Sequence, residues 1–317
     1  MKKHCKILIL LLVIAAVLTT TGPKVAYGKN ITYVYEVFPL DRNGINLHLD
    51  CVKLENSIPT QNILLIHGST YSSHEFDIDY LDYSLVRRLA REGYAVWRID
   101  IAGYGQSDPI EDGFMPDTAY AAEDINAAVE KIVQISGEDT LDVLGWSWGT
   151  MTASQFSVKH PDHLRKLILY APILSGLGAP ESRDAFSHNT WAGAAEDFQV
   201  NPDGTFDLNV TDPYLIEMFC SSCWHYDGDT SPRGWSKDAF VDASTKLIDL
   251  ERIPVPTLII YGNKDPYMDF ERLNSSLGYL PDGSELHLIE GGSHIMIYEK
   301  DHYREFQNAI VSFLMER

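Results

Sequence analysis

Five short apolar runs recur along the chain: NILLI (62–66), YAVWRI (94–99), LDVL (141–144), KLILY (166–170) and TLIIY (257–261). They do not alternate polar with apolar residues, so they suit strands buried on both faces rather than half-exposed ones. Helical spacing fills much of the chain between them. Leu81–Arg91 is one such stretch, and Thr118–Ile135 places Ala121, Ile125, Ala128, Val129 and Ile132 on one face. A third helix is expected after Gly149 to about His160, and a last one from about His302 to Met315, beyond a strand over Ser284–Ile289. Strands separated by helices predict an α/β fold with a mostly parallel central sheet covered by helices on both faces. Before this rhythm starts, Asn43-Gly44 separates Thr32–Phe38 from Ile45–Leu54, a hairpin signal. With 317 residues, 45% hydrophobic and 22% charged, the chain has ample material for a large core.

The alternation breaks after Pro172. Residues 175–250 hold Trp191, Phe198, Phe206, Tyr214, Phe219, Trp224, Tyr226, Trp235 and Phe240 among many Gly, Pro and Asp, with no parallel-strand rhythm. An insertion here is read as a cap over the carboxyl edge of the sheet, where ligands bind in open α/β folds. The domain reading is therefore a core of 29–174 and 251–317 with a cap of 175–250. Its aromatic residues are expected to form a small core of their own, with two or three facing a ligand.

Residues 1–28 read as a signal peptide. Met1-Lys2-Lys3 precedes an apolar run from Ile7 to Leu18, followed by polar residues and the small residues Ala26 and Gly28. Twelve apolar residues are too few to span a bilayer as a helix, so export and cleavage near Gly28 are expected, leaving no stable membrane span. Cys5 precedes the apolar run and does not suit lipid attachment. Four lysines and no acid in this segment leave 21 basic against 45 acidic residues in 29–317, a net charge of −24. That sign repels phosphate backbones and argues against nucleic acid as a partner. Beyond the leader stand Cys51, Cys220 and Cys223. Cys220 and Cys223 can pair in an oxidising compartment, but a lone CxxC in an aromatic stretch is a weak redox or metal signal. The sequons at Asn30, Asn209 and Asn274 matter only where the source glycosylates.

Gly145-Trp146-Ser147-Trp148-Gly149 directly follows one expected strand and precedes an expected helix. A tight turn in that context lifts a serine to the sheet edge. A serine hydroxyl needs a base, and the base needs an orienting acid. Asp265 follows TLIIY, and His294 in Gly291-Gly292-Ser293-His294 follows the last strand. Both fall on the sheet edge that carries Ser147. Asp269 rivals Asp265, or Asp265 caps a helix; His287 and His302 are less well placed than His294. No dinucleotide glycine motif, P-loop or metal-ligand cluster stands in the sequence, so no cofactor or metal is expected.

With His67-Gly68-Ser69 and Asp100-Ile101-Ala102-Gly103-Tyr104-Gly105-Gln106-Ser107 added, the chain resembles the α/β-hydrolase superfamily over residues 31–317. The resemblance implies that Ser147 attacks, His294 takes its proton, Asp265 orients the imidazole, and an acyl-enzyme forms. It further implies an oxyanion hole from the backbone N–H groups of Trp148 and Ser69, with Thr70 the alternative if the loop is offset by one. Trp148 is then expected to border the acyl pocket, with Trp191 and Trp224 on the substrate from the cap. His67 and Asp100 are read as loop-shaping residues, and Trp146 as core or pocket.

Relatives that use Asp as nucleophile are disfavoured by Ser147. The leading expectation is a secreted serine hydrolase of small or medium carboxylic esters or lactones. An aminopeptidase is the runner-up: GWSWGTMTASQF before His160-Pro161 is similar to the proline iminopeptidases, and Glu181, Glu196 or Glu217 could hold a substrate amine. Ser69-Thr70-Tyr71 and Ile101-Ala102-Gly103 depart from that family's Gly-Pro-Gly and Gln-Arg-Gly versions. A binding protein without turnover is the third class, and retention of Ser147, Asp265 and His294 speaks against it.

Overall fold

Asn43 and Gly44 turn the chain between β1 (Tyr33–Arg42) and β2 (Ile45–Leu54) in a computed structural model that describes residues 31–180 and 182–316. Both turn residues have positive φ, 55° and 82°, the left-handed pair that matches the twist of a two-residue hairpin. The other strands are β3 (Gln61–Ile66), β4 (Tyr94–Ile99), β5 (Leu141–Trp146), β6 (Leu164–Tyr170), β7 (Phe186–His188), β8 (Thr230–Pro232), β9 (Thr257–Gly262) and β10 (Glu285–Ile289). Eight of them form one sheet in the order β1-β2-β4-β3-β5-β6-β9-β10. β1 and β2 join it antiparallel, through β2 on β4, and every pairing from β4 to β10 is parallel.

The helices are α1 (Leu85–Arg91), α2 (Thr118–Ser136), α3 (Trp148–Lys159), α4 (Trp191–Ala195), α5 (Pro213–Asp227), α6 (Gly234–Ala239), α7 (Phe270–Ser276) and α8 (Tyr303–Met315). They cover both faces of the sheet. Ile63 and Leu65 of β3 pack in the cluster that holds Leu85, Leu89, Ile310 and Phe313 of α1 and α8. Leu64 and Ile66 pack in the other, with Ile125, Val129 and Phe156 of α2 and α3. Successive residues of one strand thus feed opposite cores, which is why these runs are apolar throughout.

Two details depart from the sequence reading. The first helix starts at Leu85 rather than Leu81: Leu81 has φ 48° and is exposed, and Ser84 caps the helix, its hydroxyl accepting the Arg87 N–H at 3.0 Å. The segment between β6 and β9 has no core of its own. Ala194, Phe198, Leu215, Phe219, Cys220 and Cys223 merge with Trp146, Tyr170 and Tyr298 of the sheet body in one cluster. α4 and α6 are only 5 and 6 residues long, and α5 has little within the segment to pack against, so its apolar face turns to the sheet body. Cys51, Cys220 and Cys223 are all buried free thiols. Among the described residues no helix is long and apolar enough to cross a membrane. The leader 1–28 with Cys5, the Asn30 sequon and Glu181 lie outside the described residues.

At Gly44 an added Cβ would meet nothing within 4 Å. Gly44→Ala therefore carries only the cost of a left-handed backbone, about 1 kcal/mol, read as a lower urea midpoint with unchanged slope.

Candidate active site

The turn from β5 into α3 is made by Ser147 alone, with φ 56° and ψ −121°. A non-glycine residue there is strained, and strain of this kind persists only where the surroundings hold it. The Ser147 N–H donates to the Tyr170 carbonyl at 3.0 Å, and the Ser147 carbonyl accepts the N–H and hydroxyl of Thr150 at 2.9 and 2.5 Å. The flanking glycines make room for the crossing. A Cβ on Gly145 would stand 2.2 Å from the Gly149 carbonyl oxygen, and one on Gly149 would stand 2.5 and 2.6 Å from those of Ile66 and His67.

Asp265 follows β9 and His294 follows β10, neighbouring parallel strands, so both emerge at the carboxyl edge beside Ser147. The Lys264 N–H donates to the Gly292 carbonyl at 2.9 Å, tying the two loops together. Asp265 is 5% exposed; its Oδ1 accepts the Tyr267 N–H at 2.9 Å and its Oδ2 lies 2.8 Å from His294 Nδ1. A carboxylate at Nδ1 keeps the proton there and leaves Nε2 as the basic nitrogen. The His294 carbonyl accepts the Trp146 indole N–H at 3.1 Å and the Tyr170 hydroxyl at 2.8 Å, and the Tyr267 ring stands edge-on to the imidazole. Ser147 and His294 line one cavity of about 210 Å³. Among the described residues no hydrogen bond joins the Ser147 hydroxyl to the imidazole.

The rival residues are engaged elsewhere. Asp269 is the N-cap of α7, taking the Arg272 N–H at 2.9 Å and the Ser175 hydroxyl at 2.5 Å. His287 pairs with Glu305, and His302 with Glu299. His67 is buried, its Nε2 accepting the Ile101 N–H at 3.0 Å, and burial lowers its pKa. Asp100 accepts the N–H groups of Ser73 and Gln106, both at 2.9 Å.

Gly68, Ser69 and Thr70 line the cavity opposite α3. Among the described residues neither the Ser69 nor the Trp148 backbone N–H donates to a protein acceptor. The indoles expected on substrate stand elsewhere. Trp148 is fully buried on the α2 side, its indole Nε1–H donating to the Thr118 hydroxyl at 3.1 Å, because the first residue of α3 points away from the turn it follows. Trp191 and Trp224 are 47% and 52% exposed. Both sit on outward faces of α4 and α5, whose inward faces carry Ala194, Leu215, Phe219 and Cys223. The aromatic wall is instead Tyr71, Trp146, Phe219, Trp235, Phe240 and Tyr267. Trp146 was legible from the period of β5, which turns it to the face opposite Val143.

Two carboxyl groups complete the lining. Glu196 and Glu217 are exposed and outside the cavity, whereas Asp197 is on its wall. Asp197 is exposed to solvent, and protein atoms crowded around its carboxyl desolvate it enough to push its pKa up to about 6 against the opposing pull of His294. Glu75 is the other. Neither carried a sequence signal: nothing along the chain marks Glu75 in its loop, or separates Asp197 from its neighbour Glu196 at the end of α4. Gly149→Ala would force backbone apart at the Ile66 and His67 carbonyls, and a loss of about 2 kcal/mol in urea unfolding is expected.

The sheet and its helices agree with the fold of known proteins. The chain is 27% identical over 246 residues to the pimeloyl-(acyl-carrier protein) methyl ester esterase of Neisseria meningitidis, covering 74% of this chain and 86% of that one. It is 23% identical over 275 residues to a 2-hydroxy-6-oxononadienedioate/2-hydroxy-6-oxononatrienedioate hydrolase of Pseudomonas putida, covering 80% and 87%. The bromoperoxidase of Bacillus anthracis shares the fold, with a TM-score of 0.65 and 21% identity over 89% of this chain and all of that one. The family described as serine aminopeptidase, S33, matches residues 57–301, and to that family of α/β-hydrolases the chain belongs.

Proposed function

We propose that the protein is a secreted serine hydrolase that cleaves small or medium carboxylic esters or lactones. One observation carries the reading: a carboxylate-oriented imidazole shares a cavity wall with a serine held in a strained strand-to-helix turn. His294 Nε2 takes the Ser147 hydroxyl proton as Oγ attacks the substrate carbonyl. The negative charge on that oxygen meets the N–H groups of Ser69 and Trp148. Collapse expels the alcohol oxygen, which leaves with the proton from His294. Water then attacks the acyl-enzyme, giving its proton to His294, and release of the acid restores Ser147. Asp265 holds the imidazole and balances its charge while it is protonated. The segment 175–250, which supplies Leu177, Asp197, Phe219, Trp235 and Phe240 to the cavity, acts as the cap. Secretion rests on the leader, and the esterase among the relatives supports ester chemistry.

Hydrolysis of p-nitrophenyl acetate through decanoate, beside aminoacyl and prolyl anilides, tests the reading. Short and medium esters should turn over and the anilides should not. Ser147→Ala and Asp265→Asn should each lower kcat/KM by about 10³-fold or more with unchanged thermal unfolding. Turnover of the prolyl anilide alone would replace the reading with the aminopeptidase.

Asp197 favours a second reading, in which the substrate carries an amine. A carboxylate attracts a cation only when ionised, so that attraction is present above a pKa of about 6 and lost as pH falls through it. On this reading, KM for an ammonium-bearing ester relative to its neutral isostere rises as pH drops from 7.5 to 5, and Asp197→Asn flattens the ratio.

A further inference from the structure

Glu75 is 3% exposed, in the 3-10 turn Ser73–Phe76 between β3 and α1. Its Oε1 accepts the Gly68 N–H at 2.7 Å, and its main-chain carbonyl accepts the Tyr298 hydroxyl. The side chain therefore has one fixed position. It lines the same cavity as Ser147 and His294. A Cβ on Gly68 would be 3.6 Å from Glu75 Oε1 and 3.5 Å from Ser147 Cβ, so the carboxyl and the serine flank one small space.

Among the described residues Oε2 accepts no hydrogen bond, and no Lys, Arg or His pairs with the group. An unpaired buried carboxylate is costly, and a neutral carboxylic acid is the form such a place accommodates. Burial does hold this carboxyl well above the usual range, with Asp227, Asp197 and Asp100 adding to the effect and the Gly68 N–H opposing it. A neutral acid has one O–H to donate. With Oε1 already serving as acceptor, the donor is Oε2.

We propose that Glu75 is a substrate-recognition residue, donating from Oε2 to a second oxygen of the acyl group close to the scissile carbonyl. The cavity then favours acyl groups that carry an ether or keto oxygen near the reacting carbon over plain alkyl chains. An acyl chain that puts methylene at that point leaves the buried O–H without a partner, which is what gives such a group its discrimination. The inference rests on Ser147 as the acyl acceptor.

Matched p-nitrophenyl esters test it: methoxyacetate against butyrate, and levulinate against hexanoate, with kcat/KM corrected for alkaline hydrolysis rates. Wild-type protein should prefer the oxygenated member of at least one pair by about tenfold or more. Glu75→Gln keeps both an acceptor for Gly68 and a donor for substrate, and should keep the ratio. Glu75→Leu should bring it to unity, whatever happens to the absolute rates. A ratio unchanged in Glu75→Leu, as a mere loop anchor would give, overturns the proposal, and so does a wild type without preference. If Glu75→Leu fails to fold, difference infrared on Ser147→Ala takes its place. Methoxyacetate ester should shift a protonated-carboxyl band that Ser147→Ala/Glu75→Gln lacks, and absence of that shift overturns the proposal. Butyrate turnover that Ser147→Ala abolishes keeps the hydrolase reading standing even if the Glu75 proposal falls; absence of turnover in every ester sinks both.

Discussion

Gly145 and Gly149 stand where the end of β5, the start of α3 and the end of β3 touch backbone to backbone, and no side chain fits at either position. This crossing places Ser147 at the sheet edge in a conformation that an L-residue avoids, and the same contact brings the β3 loop with Gly68 and Ser69 beside it. The geometry that raises the serine thus also sets its distance to the loop that carries Gly68. Strain at one residue is tolerable because bonds from Tyr170 and Thr150 hold it on both sides.

The segment between β6 and β9 is fastened to this arrangement rather than laid loosely over it. Its α5 presents Phe219 to the aromatic wall, and Asp227 at the end of that helix accepts the Ser72 N–H at 3.0 Å and meets His74 Nε2 at 2.5 Å. Ser222 reaches the other nitrogen of His74 at 3.1 Å. These bonds grip the loop that carries Ser69 and Glu75. The position of the inserted segment and the shape of the site are therefore tied together through a shared apolar cluster and a buried polar contact.

The cavity is mostly aromatic and aliphatic, but it holds two carboxyl groups in different surroundings. Asp197 is reached by solvent and is influenced by the His294 imidazole; Glu75 is buried at the cavity wall with a main-chain N–H as its partner. Desolvation raises both carboxyls; a main-chain N–H opposes it at Glu75 and the imidazole of His294 opposes it at Asp197.

Local pattern accounts for most of the fold. The strands, the Asn43-Gly44 hairpin, the longer helices and the placement of Ser147, Asp265 and His294 at one edge all follow from periodicity and turn chemistry, which act over a few neighbouring residues. What the sequence alone determined was the α/β architecture, the break in strand rhythm after Pro172 and the placement of Ser147, Asp265 and His294 at one sheet edge. Tertiary structure decided the rest of the cavity wall: Trp148 buried away from it, Phe219 rather than Trp191 or Trp224, and Asp197 and Glu75 rather than Glu196 or Glu217. The inserted segment packs into the sheet's own core, so which face of α4 and α5 turns inward depends on residues more than a hundred positions away. A pattern read along the chain carries no record of that distance.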